Sequence, residues 1–105
     1  MKDRPERFEE KFEVYIEING RAIRGDIINI STEGLCVEIP KKFNISNECT
    51  ITINFPISSK VKAIKRWEKI YEMNKKVGFK IISKDDNWNS FLSSYHLDII
   101  YRHNL

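Results

Sequence analysis

The sequence predicts a mainly β, antiparallel domain of about six strands closed by one C-terminal helix, and three observations predict it. Apolar and polar residues alternate with period two in a succession of short runs between Phe12 and Ile81. Turn-forming residues punctuate those runs, with Asn19-Gly20 suited to a tight hairpin. From Asp85 the period becomes helical, and strands do not alternate with helices anywhere along the chain. An antiparallel barrel and a sandwich both satisfy these observations.

The first run, Phe12 to Ile18, alternates apolar with mostly charged residues, as a strand with one buried face requires. Asn19-Gly20 supplies the positive φ values of a type I′ turn, so the chain returns as a second strand over Arg21 to Ile30. After the polar break Ser31 to Gly34, a third strand covers Leu35 to Ile39 and stops at Pro40. Lys41 to Asn47 reads as a loop. Cys49, Ile51, Ile53 and Phe55 then alternate with Thr50, Thr52 and Asn54 in a fourth strand that ends at Pro56. The fifth, Val61 to Trp67, slips out of period at Ala63-Ile64, the mark of a β-bulge. A polar connection over Glu72 to Lys76 leads to the sixth, Val77 to Ile81. Trp88, Phe91, Leu92, Tyr95 and Ile99 form one apolar stripe of a helix placed within 85–103. Asp85 and Asp86 at its start and Arg102 and His103 at its end complement the helix dipole.

The chain has 105 residues, the size of one domain. No apolar run approaches the roughly 20 residues that cross a bilayer, so no membrane insertion is expected. Residues Met1 to Arg7 mix both charge signs and lead into no apolar stretch, which points to the cytoplasm rather than to secretion. Cys36 and Cys49 lack any metal-binding spacing and are expected as free thiols in a reducing compartment. His96 and His103 stand seven apart, out of register for a shared metal. Ser31 has no His/Asp partner nearby in sequence and no glycine-rich phosphate loop precedes a helix, so neither an enzyme nor a metal or cofactor is expected.

Charge is unevenly spread. Between Lys60 and Lys80 eight Lys/Arg face two Glu, a local charge of +6, which leaves −3 for the rest of a chain of net +3. One basic face is the expectation, and it favours an anionic partner. Within this stretch Arg66 and Trp67 are candidate ligand contacts, the indole as a stacking surface beside a cation. For Trp67 the competing expectation is a tryptophan of the barrel core.

Asn29-Ile30-Ser31-Thr32-Glu33-Gly34 places Asn-x-Ser-x-x-Gly between two strands, where an amide and a hydroxyl can point at a ligand from a strand end. Gly34 is read as adopting a backbone conformation that a Cβ forbids. Arg7-Phe8-Glu9-Glu10-Lys11 precedes the first strand. In this order and spacing, continued by the basic strand, the Val77-Gly78-Phe79 strand and the helix, the chain resembles the PilZ family, with its Arg-x-x-x-Arg and (Asp/Asn)-x-Ser-x-x-Gly motifs. The resemblance covers nearly the whole chain. It implies a six-stranded antiparallel β-barrel over 12–82 with a C-terminal helix, preceded by a flexible ligand-binding segment 1–11.

The resemblance also implies a ligand, cyclic di-GMP, and a role as receptor or adaptor in bacterial second-messenger signalling. By position, Arg7 and Lys11 would hold guanine edges and phosphates, with Asn29, Ser31 and Gly34 completing the site from the barrel. Lys11 departs from the family's arginine: it keeps the charge but loses the planar fork, a loss of about 1–3 kcal/mol where the contact is bidentate. Arg4 is a nearby cation that could compensate, whereas Glu9 and Glu10 oppose an anion. The alternative is a degenerate member that binds no nucleotide and acts through protein contacts, as in motility or pilus systems. Single-stranded RNA on the 60–80 segment is the third reading, resting on charge alone. Oligomeric state is not legible, since the helix stripe could serve a dimer as well as the barrel.

Overall fold

The computed structural model describes residues 12–18, 20–54 and 57–94. Six strands run β1 (Phe12–Ile18), β2 (Arg21–Ile30), β3 (Gly34–Pro40), β4 (Glu48–Ile53), β5 (Ser59–Tyr71) and β6 (Asn74–Lys84). Every pairing is antiparallel, and the sheet closes into a barrel in the order β1-β2-β3-β6-β5-β4. Closure leaves the choice between barrel and sandwich settled, and it removes most exposed edge.

The alternating residues behave as their period demands. Val14, Ile16, Val37, Ile39, Ile51, Ile53, Val61 and Val77 are all buried and fill the barrel. Gly20, at φ 80, turns β1 into β2 in a two-residue connection flanked by the Ile18↔Arg21 pair. The helix α1, described over 88–94, drives Trp88, Phe91 and Leu92 into one end of the barrel. There Phe91 meets Phe12 edge-on at 6.1 Å between ring centroids, and the Trp88 indole N–H donates to the Thr32 carbonyl at 3.4 Å. Tyr95, His96, Ile99, Arg102 and His103 lie outside the described residues.

The largest difference from the sequence reading is the β5–β6 hairpin. The predicted polar connection over Glu72 to Lys76 is only a two-residue turn, Glu72-Met73, and β5 continues to Tyr71 while β6 starts at Asn74. Polar composition concealed the strands because this hairpin outruns β4: pairing of β5 with β4 ends at Glu48↔Ile64. Residues beyond that point need no continuous apolar face.

Three register shifts decide which way side chains point. In β2 the extra residue is Ile28, in β6 it is Ile82, and in β5 it is Arg66. The slip read at Ala63-Ile64 thus lies between two real irregularities, one opposite Lys62/Ala63 and one at Lys65/Trp67. A bulge of one residue sends everything after it to the other face of the sheet.

The two cysteines are free, on β3 and β4, with β6 and β5 between those strands in the barrel. Burial pushes the Cys49 thiol up to about 11.

Candidate functional site

The bulges build the site. Uninterrupted alternation after the buried Ile27 would turn Asn29 into the core, but the extra residue Ile28 puts its side chain on the exterior, opposite Cys36. At the far side Arg66 does the same for Trp67, which is 48% exposed. The expectation of a core tryptophan is therefore corrected, and the physical reason is this one inserted residue. Read across four strands, the exterior row is Asn29↔Cys36↔Gly78↔Trp67.

Gly78 explains how the row becomes a depression. A Cβ at this position would lie 2.2 Å from Trp67 Cε2 and Nε1, so the indole lies over the glycine. Asn29, Ser31, Gly34, Cys36, Arg66 and Trp67 all line a depression of about 220 Å³. This is smaller than the ~300–1,000 Å³ of a pocket that engulfs a drug-sized ligand, so it can seat one end of such a molecule.

The turn between β2 and β3 is fixed by its own polar groups. The Ser31 N–H and hydroxyl both donate to the Gly34 carbonyl, at 2.8 and 3.4 Å, and the Ile30 N–H donates to Asn29 Oδ1 at 2.8 Å. With Oδ1 engaged, the Asn29 amide nitrogen is the group left to donate outward. Gly34 has no positive φ; the reason for glycine is space, since a Cβ would stand 2.7 Å from the Phe79 carbonyl oxygen. That corrects the conformational reading of this residue. Burial raises the Cys36 thiol above its ordinary value, Lys76 opposing and Glu38 adding to the shift.

Asn29, Ser31, Gly34, Arg66 and Trp67 are thus brought together. Arg4, Arg7 and Lys11 lie outside the described residues. Phe12, directly after Lys11, pairs with Ile27, two residues before Asn29. Sequence reasoning missed Gly78 and Cys36 as part of the site. The signal for Gly78 was present, because a glycine inside a strand marks close approach of another group.

A scan against family models matches the PilZ domain over residues 2–93. The chain belongs to the PilZ domain family. That match takes in both motifs, and it makes this a cyclic di-GMP-related signalling domain of ligand-binding or adaptor type, from a family that is not catalytic. No match was found among curated proteins or among solved structures.

The single basic face expected of this PilZ domain is divided. Alternation along the hairpin turns Lys65 and Lys75 toward Glu68, at 2.9 and 3.3 Å, while Lys60 and Lys62 point outward and Arg66 stands at the depression. Lys76 sits over the Tyr71 ring at 5.5 Å, and the Tyr71 hydroxyl donates to Glu38. Among the described residues no helix is long and apolar enough to cross a membrane.

Proposed function

We propose that this PilZ domain is a receptor for cyclic di-GMP, gripped between the N-terminal segment and the depression that runs from Asn29 to Trp67. The observation that carries the reading is convergence: five residues singled out in the sequence, drawn from β2, the following turn, β3 and β5, line one hollow. The Asn29 amide suits a guanine edge, the Ser31 hydroxyl can exchange its long 3.4 Å bond to the Gly34 carbonyl for a phosphate oxygen, Arg66 adds charge, and the half-exposed Trp67 offers a face to a base. Arg7 and Lys11 would close over the ligand from the strand end beside Ile27. Closing them over the ligand would change the surface offered to a partner protein, so the domain acts as a switch.

Calorimetric titration with cyclic di-GMP tests this. Saturable heat is expected, abolished by Arg7→Ala and strengthened about tenfold by Lys11→Arg, the gain of one bidentate contact. Trp67 fluorescence should change on binding. No heat and no thermal shift at near-millimolar ligand would overturn the reading.

A second reading, an adaptor that needs no nucleotide, is favoured by the end of the β5–β6 hairpin, where Ile70 is 59% and Met73 73% exposed. Capture of a partner that is indifferent to cyclic di-GMP and lost in Ile70→Ser/Met73→Ser would favour it.

A further inference from the structure

Away from the Asn29–Trp67 row, the exterior of β4, β5 and β6 carries a second depression of about 500 Å³, lined among others by Lys60, Lys62 and Lys84 and by Thr50, Thr52 and Ser83. Register builds it. Thr50 pairs with Lys62 and Thr52 with Lys60, so hydroxyl and ammonium alternate across β4 and β5. The bulge at Ile82 then turns Ser83 outward, opposite Lys62.

Two features mark this face. Lys60, Lys62 and Lys84 have no carboxylate within ion-pair distance among the described residues, a condition they share with most of the described lysines and arginines; what distinguishes them is that three such side chains line one hollow together with Thr50, Thr52 and Ser83. The Thr52 hydroxyl is buried and has no hydrogen-bond partner among the described residues. An orphan hydroxyl costs free energy unless something satisfies it, and its register neighbours Tyr15 and Lys60 carry long side chains that can rotate to admit a partner.

The one carboxylate among the described lining residues, Asp85, is already engaged by hydrogen-bond donors. It accepts from Ser59 Oγ and Lys60 N–H at 2.9 Å and from Asn87 N–H at 3.1 Å. Burial works against its ionisation, but these hydrogen bonds prevail and hold it below its ordinary value. Glu17 and Glu48 line a separate hollow on the other side of Thr50 and Lys62.

We propose that this face binds a compact phosphate group, as carried by a phosphorylated small molecule or an anionic lipid headgroup, at a site separate from the one assigned to cyclic di-GMP. Ammonium groups and hydroxyl donors are the chemistry of phosphate recognition. The described lining offers ammonium groups and hydroxyls and, among those residues, no aromatic ring, which matches a phosphate headgroup better than a stacking base.

The full chain is titrated with inorganic pyrophosphate, with phosphatidylglycerol vesicles and with a single-stranded oligoribonucleotide, in low salt. Saturable binding of pyrophosphate or of the vesicles is expected. It should fall at least tenfold in Lys60→Gln/Lys62→Gln/Lys84→Gln and several-fold in Thr52→Val, which removes only the orphan hydroxyl and should leave the thermal midpoint no lower than that of wild type. Asn29→Ala/Ser31→Ala should leave it unchanged. Pyrophosphate binding without vesicle binding assigns a soluble phosphate, and the reverse assigns a lipid surface. Binding of neither, binding indifferent to the triple variant, or binding of the oligoribonucleotide alone overturns the proposal.

Discussion

The two hairpins closed by two-residue turns are built on opposite plans. β1 and β2 pair without a single register shift and meet at Asn19-Gly20. β5 and β6 pair with two shifts and meet at Glu72-Met73, where Glu72 takes φ 55. The regular hairpin presents a buried face of Val14, Ile16, Ile23 and Ile27 and contributes no lining to the Asn29–Trp67 depression before Asn29. The irregular one supplies Arg66, Trp67, Gly78 and Phe79 to that depression and Lys60, Lys62, Ser83 and Lys84 to the second. Regular pairing makes the scaffold, and inserted residues aim the side chains that can meet a ligand.

Each hairpin carries an ion pair, and the contrast between them gives the largest expected effect. Lys75 is 3% exposed, and Glu68 lies between it and Lys65. Replacing Glu68 by Gln leaves a buried ammonium without its counter-charge and should cost about 2–3 kcal/mol in chemical denaturation. Arg24 and Glu13 pair on the exposed face of the first hairpin. There Glu13→Gln should cost about 0–1 kcal/mol. Equal losses at the two sites would break the comparison.

Acid sharpens the same contrast. The hydrogen bond from Lys65 holds the Glu68 carboxyl below its ordinary value; burial opposes this, and Lys75 reinforces it. A carboxyl depressed in the folded state contributes stability that is complete above the ordinary glutamate range and is lost as pH falls through its folded value. The gap between wild type and Glu68→Gln should therefore be widest near neutrality and shrink below the ordinary glutamate range, as read by denaturant midpoints from neutral to acid pH. A constant gap would assign the cost to packing instead of charge.

The same two hairpins show what a sequence discloses. The first was legible because its signals are local: strict alternation, then a dipeptide with the right φ preferences. In the second, Glu72 to Lys76 reads as polar connection because the strands run past β4 and bury few side chains, apart from Lys75, whose burial rests on a charge partner seven residues away. The motif Asn29-x-Ser31-x-x-Gly34 was legible as residue types, but its outward aim was not, since Ile28 and Arg66 are ordinary residues that only the partner strand's register makes into bulges. For Trp67 the period-two rule pointed inward and one insertion reversed it. Gly34 was the right residue for a different reason, a close carbonyl in place of a special φ.

The turns themselves give smaller effects than the buried ion pair, and of opposite sign. Gly20 at φ 80 has open space around its missing Cβ, so Gly20→Ala adds no clash and its cost is that of the left-handed backbone alone, about 1–2 kcal/mol. Glu72 already bears that cost at φ 55. Glu72→Gly removes it but gives the unfolded chain more freedom, so the net gain should be at most about 1 kcal/mol. Thermal midpoints of the two variants, measured together, should move in opposite directions. If Glu72→Gly lowers the midpoint as Gly20→Ala does, the second turn owes its stability to the Glu72 side chain, and the strain assigned to it is absent.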